Sequence, residues 1–240
     1  MRRVLGWLIV LALLGIGLWF ARGYVRRHPE HLPWTELDLA DPIGTFTGRK
    51  LTALTGDPAR CRALLTQAGS ADIAVPPLIR DANCGYPDGM RLAPAGPRSV
   101  RYAPSRLVTS CPVAAALLLF ERDALQPAAL KHFGERVATI DHAGSYSCRR
   151  LYGRDGGPFS EHATADAFDI LGFRLVSERR ISVLGDWSGS GPEAAFLRDV
   201  RDGACRLFST VLSPDYNAAH ANHLHFDQAA RGEIGWRGCG

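Results

Sequence analysis

Residues 111–147 read CPVAAALLLFERDALQPAALKHFGERVATIDHAGSYS, and their changing period sets the expected architecture. Val113, Leu117, Phe120 and Ala124 recur at helical spacing among further apolar residues, which predicts a largely buried helix opening at Cys111-Pro112. Gln126-Pro127 then begins a shorter helix that ends near Gly134. From Arg136 to Ser147 the period drops to two, with Val137, Thr139 and Asp141 alternating against Ala138 and Ile140, as a strand requires. Helix, helix and strand follow without regular β-α alternation. The pattern predicts an α+β domain: a small antiparallel sheet flanked by helices.

Working outward, Asp57-Pro58 followed by Ala59, Cys61, Leu64 and Leu65 predicts a capped helix, and residues 70–108 are turn-rich. Strands are expected at 165–174 and 180–185, a covering helix from Pro192 to Ser209, and a short final strand from His223 to Asp227. With 28 Lys plus Arg against 24 Asp plus Glu, the net charge of +4 is too small and too scattered to mark a nucleic-acid-binding face. A chain that is 46% hydrophobic and 22% charged is globular rather than disordered or polytopic.

The N-terminal run from Val4 to Ala21 is uncharged and flanked by arginines, Arg2 and Arg3 before it and Arg22, Arg26 and Arg27 after it. It is just long enough to span a hydrocarbon core of about 30 Å. Its end, Leu18-Trp19-Phe20-Ala21-Arg22, lacks the small residues of a cleavage site, so an uncleaved anchor over residues 1–21 is expected in preference to a signal peptide. Residues 22–38 read as a tether, and the folded domain as 39–240. Cys61, Cys84, Cys111, Cys148, Cys205 and Cys239 all follow the apolar run without a C-x-x-C pair. That spacing predicts up to three disulfides in an oxidising compartment, in any of 15 connectivities. The competing reading is a cytosolic domain with buried free thiols.

The chemistry concentrates in two groups, Ser160-Glu161-His162-Ala163-Thr164-Ala165-Asp166-Ala167-Phe168-Asp169 and His220-Ala221-Asn222-His223-Leu224-His225-Phe226-Asp227. Residues i and i+2 of a strand share a face, so His223 and His225 present two imidazoles together, while Ala165, Ala167 and Asp169 set a carboxylate beside small side chains. Two His and one Asp offer three ligands, the usual protein complement of a catalytic zinc ion that keeps a fourth position for water. A serine hydrolase is disfavoured because there is no G-x-S-x-G, and a cysteine nucleophile at Cys148 conflicts with the expected disulfides.

These motifs resemble those of the metallopeptidases that group lysostaphin-like enzymes with D-Ala-D-Ala peptidases, whose S-x-H-x-x-G-x-A-x-D pattern falls on Ser160, His162, Ala167 and Asp169, with Ala165 replacing Gly. The H-x-x-H-x-H form on His220, His223 and His225 is most similar to penicillin-insensitive murein endopeptidases. More broadly, residues from about 40 to 235 resemble the bacterial extensin-like C-terminal domain family, through Cys84-Gly85, Ser145-Tyr146-Ser147-Cys148-Arg149 and Leu212-Ser213-Pro214-Asp215-Tyr216-Asn217. The resemblance implies a metallopeptidase-like fold holding one zinc ion on His162, Asp169 and His225. It implies His223 as general base, His220 as an assisting group and Arg149 as a cation toward the polarised carbonyl. Asp166 and Asp227 would face away or orient a ligating imidazole. The implied activity is a zinc-dependent peptidase or amidase on peptidoglycan, anchored in the bacterial inner membrane through residues 4–21 with its soluble domain in the periplasm. The alternative is a non-catalytic cell-wall-binding domain, motivated by the Gly-to-Ala departure. No oligomeric state is implied.

Overall fold

The computed structural model describes residues 2–232 and 236–240; position 1 of the expected anchor and 233–235 of the expected domain lie outside the described residues. Helix α1, Arg2–Arg27, has no buried residue and continues the apolar run through the following arginines. It is long and apolar enough to cross a membrane, a property it shares with signal sequences. The segment read as a tether is packed over part of its length. Lys50 Nζ donates to Pro29 O and Thr35 Oγ1 at 3.2 and 2.8 Å, and Leu37 joins Leu39 in the core.

Helix α2, Pro58–Gln67, starts where Asp57 accepts a hydrogen bond from the Arg60 N–H. Helix α3, Cys111–Phe120, is buried at every residue and capped by Ser110. It runs through a wide turn at Glu121–Leu125 into α4, Gln126–Phe133, so the two expected helices are continuous. Pro127 lacks an N–H for the regular ladder, and the widened turn absorbs that gap. Gly134, at φ 69°, closes α4 in the left-handed region.

One sheet of seven strands carries the domain: β1 Arg101–Ala103, β2 Val137–Gly144, β3 Ala167–Leu175, β4 Arg180–Ser182, β5 Thr210–Leu212, β6 Leu224–Asp227 and β7 Gly238–Cys239. The spatial order is β7-β5-β6-β3-β2-β1, with β4 on β3. The α+β reading holds, but the sheet is neither small nor wholly antiparallel, because β1–β2 and β5–β7 are parallel pairs. A parallel pair needs a crossover, and α3 with α4 supplies it between β1 and β2. At the other edge the Cys205–Cys239 disulfide holds β7 beside β5.

The expected strand boundaries shift for local reasons. β3 begins at Ala167 because Glu161–Thr164 is a helical turn whose closing residue, Ala165, is left-handed at φ 58°. Ala165 therefore does not share a strand face with Ala167 and Asp169. β4 stops at Ser182, which caps the short helix Val183–Asp186 through Gly185 N. Helix α5, Pro192–Ala204, ends five residues before the expected Ser209.

Alternate residues of β3 and β6 face opposite sides. Phe168 and Phe226 pair across the strands inside the core, where Phe226 also meets Phe120 and Phe208 at 5.4 and 4.9 Å between ring centroids. Below the sheet Arg98 is fully buried: it forms a bidentate pair with Asp72, bonds Glu121 at 2.8 Å and donates to Ala114 O. The disulfides are Cys61–Cys111, Cys84–Cys148 and Cys205–Cys239, which leaves no free thiol.

Candidate metal centre

Asp169 of β3 and His225 of β6 are direct cross-strand partners, and His162 enters from the turn before β3. All three are buried, and their donor atoms lie within 4.8 Å of one another. His225 Nδ1 is 2.9 Å from Asp169 Oδ1, and His162 Nε2 is 3.1 Å from Asp169 Oδ2. Donors about 2.1 Å from one tetrahedral ion stand roughly 3.4 Å apart, so the spacing suits a small divalent cation.

The outer nitrogens of both rings are already committed. His162 Nδ1–H donates to the Ser145 carbonyl at 2.6 Å, which fixes the tautomer and leaves the lone pair on Nε2. That Nε2 is buried and has no hydrogen-bond partner, since it is out of line with Asp169 despite the short approach. His225 Nε2 reaches Asp227 Oδ2 at 3.3 Å, so Nδ1 is the atom that faces Asp169. An orphaned imidazole nitrogen in a buried site is costly unless something accepts its lone pair. A cation between His162, Asp169 and His225 would do so.

Burial opposes the Asp169 charge, but the close approach of His162 and His225 overcomes it and holds the carboxyl well below its ordinary range. Burial likewise disfavours charge on His225, yet hydrogen bonds to Asp169 and Asp227 push it up to about 9. In the metal-free protein that imidazolium occupies the position of a cation between two carboxylates.

His223 and His220 stand on the open side. His223 sits one residue before β6, its Nδ1 donates to Asn222 Oδ1 at 2.8 Å, and its Nε2 lies 3.6 Å from Asp169 Oδ1. Burial presses its pKa below the ordinary histidine value, so the ring is a neutral acceptor at pH 7. Burial, reinforced by the neighbouring His223 and His225 imidazoles, lowers His220 to about 4. Its Nδ1 donates to Asn217 Oδ1 at 2.8 Å, and its ring is 5.0 Å from that of His223. Arg149 is partly exposed, with Nη2 3.9 Å from Asp169 Oδ2, held in place by the adjacent Cys84–Cys148 bridge. All six sequence-predicted site residues therefore meet in one cleft of about 1070 Å³. A cysteine nucleophile at Cys148 is ruled out by its disulfide.

Asp227 faces the cleft and orients His225, whereas Asp166 turns inward to accept from Ser110 Oγ at 2.6 Å. The Ser145 carbonyl and Asn217 were not legible as site groups, because a lone sequence carries no signal for a backbone acceptor or for a side chain that orients another. Ala165 is fully buried and does not line the cleft. Its carbonyl collects three donors, Ser110 N, Thr109 Oγ1 and Ser145 Oγ, which the left-handed turn brings together.

Fold and site together define an α+β domain with a buried histidine–aspartate cluster at the bottom of a wide cleft, behind an N-terminal apolar helix. The chain belongs to the family described as Extensin-like protein C-terminus, whose model matches residues 59–240. Comparison with curated proteins and with solved structures gives no match.

Proposed function

We propose that the protein is a zinc-dependent peptidase or amidase acting on peptidoglycan peptides in the bacterial envelope, held to the inner membrane by α1 with the disulfide-bonded domain in the periplasm. The observation that carries this reading is the orphaned His162 Nε2 facing Asp169 and His225, with the outer nitrogen of each ring already bonded. One zinc ion on His162 Nε2, Asp169 and His225 Nδ1 would acidify a water and polarise the scissile carbonyl.

The chain's own residues divide the remaining work. His223, neutral and 3.6 Å from Asp169, takes the proton from the attacking water and returns it to the leaving amine. His220, its Nδ1–H held by Asn217 Oδ1 and its ring 5.0 Å from that of His223, restrains the base. Arg149 donates to the carbonyl oxygen as charge builds on it. Ala165, where the motif departs from Gly, is buried and does not line the cleft, which favours the catalytic reading over a non-catalytic wall binder.

The test is muropeptide release by the full-length protein in detergent with added zinc, compared with His223→Ala and His162→Ala. Release should fall about a hundredfold or more in both, with metal content lost only in His162→Ala. Equal release by all three proteins refutes the proposal. Retention on purified cell walls without release would point to the binding role instead.

A further inference from the structure

The cleft over the histidine cluster is wide. Typical small-ligand sites occupy roughly 300–1000 Å³, and this one is about 1070 Å³ with the histidine cluster at its floor. Its rim carries three aromatic side chains, Tyr152, Tyr216 and Trp236, each at least half exposed. Large exposed aromatics grouped on one cleft mark a binding surface.

These rings are held rather than loose. Tyr152 sits in left-handed backbone at φ 56°, a strained conformation for a bulky residue, and its hydroxyl accepts a hydrogen bond from Asn217 Nδ2 at 3.3 Å. That bond brings Tyr152 to the residue beside Tyr216. The Tyr216 ring packs edge-on against His220, 5.7 Å between centroids, and Gly240 lies so close to it that a Cβ there would come within 3.0 Å of Cδ2. Trp236, four residues earlier, lies under the Arg231 guanidinium at 5.7 Å and against Gly238. The rings thus follow one ledge, from Tyr152 through Tyr216 and along the terminal segment to Trp236. Four residues of extended chain reach at most about 13 Å, which bounds the second half of the ledge.

We infer that this ledge is a saccharide subsite: it seats the glycan strand of the polymer while the histidine cluster faces the attached peptide. Flat rings match the apolar C–H face of a pyranose. The guanidinium group of Arg231 and the carboxylate of Glu161, both lining the same cleft, match its hydroxyl and acetamido edges. The polar groups would serve a peptide as well, so the row of exposed rings is what assigns the ledge to a saccharide. The inference deepens the hydrolase reading and relies on it for the identity of the polymer, but its test requires no cleavage.

The experiment is calorimetric titration of the full-length protein in detergent with the β-1,4-linked tetramer of N-acetylglucosamine and, separately, with a free stem peptide. Trp236→Ala, Tyr152→Ala and Tyr216→Ala should each weaken the saccharide about tenfold, as truncating an aromatic anchor does. Trp236→Phe should recover most of the loss. These side chains are exposed, so unchanged melting curves verify that the variants fold. Binding should survive His162→Ala, which separates the subsite from the metal: if muropeptide release fails while ring-dependent saccharide binding persists, the subsite stands and the hydrolase reading falls. Equal saccharide affinity in wild type and all three alanine variants overturns the inference. So does ring-dependent binding of the peptide with none of the tetramer.

Discussion

Zinc affinity should climb with pH up to about 9, because the ion must displace a proton from His225. In the metal-free protein this ring lies between Asp169 at 2.9 Å and Asp227 at 3.3 Å, and its pKa stands at about 9 although burial works against its charge. The sign follows from the direction of the shift. A raised pKa keeps the proton on at pH 7, whereas coordination through Nδ1 needs the neutral ring, so proton and ion compete everywhere below about 9. One competing proton makes the apparent affinity rise about tenfold between pH 7 and 8, and the dependence levels off above the pKa. Asp227→Asn removes one of the two carboxylates that hold the proton and should flatten this slope. A competition titration against a chromophoric chelator at pH 7, 7.5 and 8 gives the slope, and calorimetry in buffers of different ionisation enthalpy gives the proton count. An affinity that does not change between pH 7 and 8, or equal slopes in wild type and Asp227→Asn, would refute the assigned donor atoms.

Arg98→Met should cost about 3–5 kcal/mol in urea unfolding, since it strands the buried Asp72 and Glu121 carboxyls that Arg98 now pairs. Replacing Cys84 and Cys148 together by Ser opens a loop of 64 residues and should cost about 4 kcal/mol on the chain-entropy account, with a larger loss of release than of metal because Arg149 follows Cys148 directly. Ala165→Gly should shift stability by less than about 1 kcal/mol, because relief of the left-handed backbone offsets the lost methyl burial and the added freedom of the unfolded chain. Ala165→Val, in the same denaturation series, should be clearly destabilised. Asn217→Ala should lower turnover several-fold with unchanged metal content, because it frees the His220 ring without touching a zinc donor.

The elements nearest to strong local signals were legible. The apolar run at 113–120, Asp57-Pro58 and Gly134 announce helices through period, capping and stop residues, and each appears where its cause lies. His225 was legible because strand spacing is rigid, so that it and the two residues flanking it in β6 must alternate sides, whereas His162 and His223 stand just outside the strands and were legible through their motifs. What one sequence does not carry is pairing between distant segments. Nothing in Gly238-Cys239 distinguishes an edge strand from a tail, and its place beside β5 depends on a disulfide partner 34 residues away. The ambiguity at Ala165 has a similar origin. Small residues at alternate positions suit a strand face, and only the convergence of three donors on its carbonyl makes the left-handed turn the better solution. The Arg98 cluster was invisible for the opposite reason, because a solvated arginine is the ordinary fate and its partners come from two segments, Asp72 on one side and the Ala114–Glu121 stretch of helix on the other.

The pairing of Asp169 with His225 also makes ion occupancy a proofreader of strand alignment. In β3 and β6 the cleft-facing residues are separated by single core residues, Phe168 and Ile170 on one strand and Leu224 and Phe226 on the other. A slip of one position would swing an aromatic ring into the cleft and an imidazole into the apolar interior, so no partly shifted sheet can keep the donors together. With zinc on the proposed donors, its stoichiometry in a purified sample would count the molecules whose central strands are correctly threaded, a quantity that spectra of secondary structure would average away.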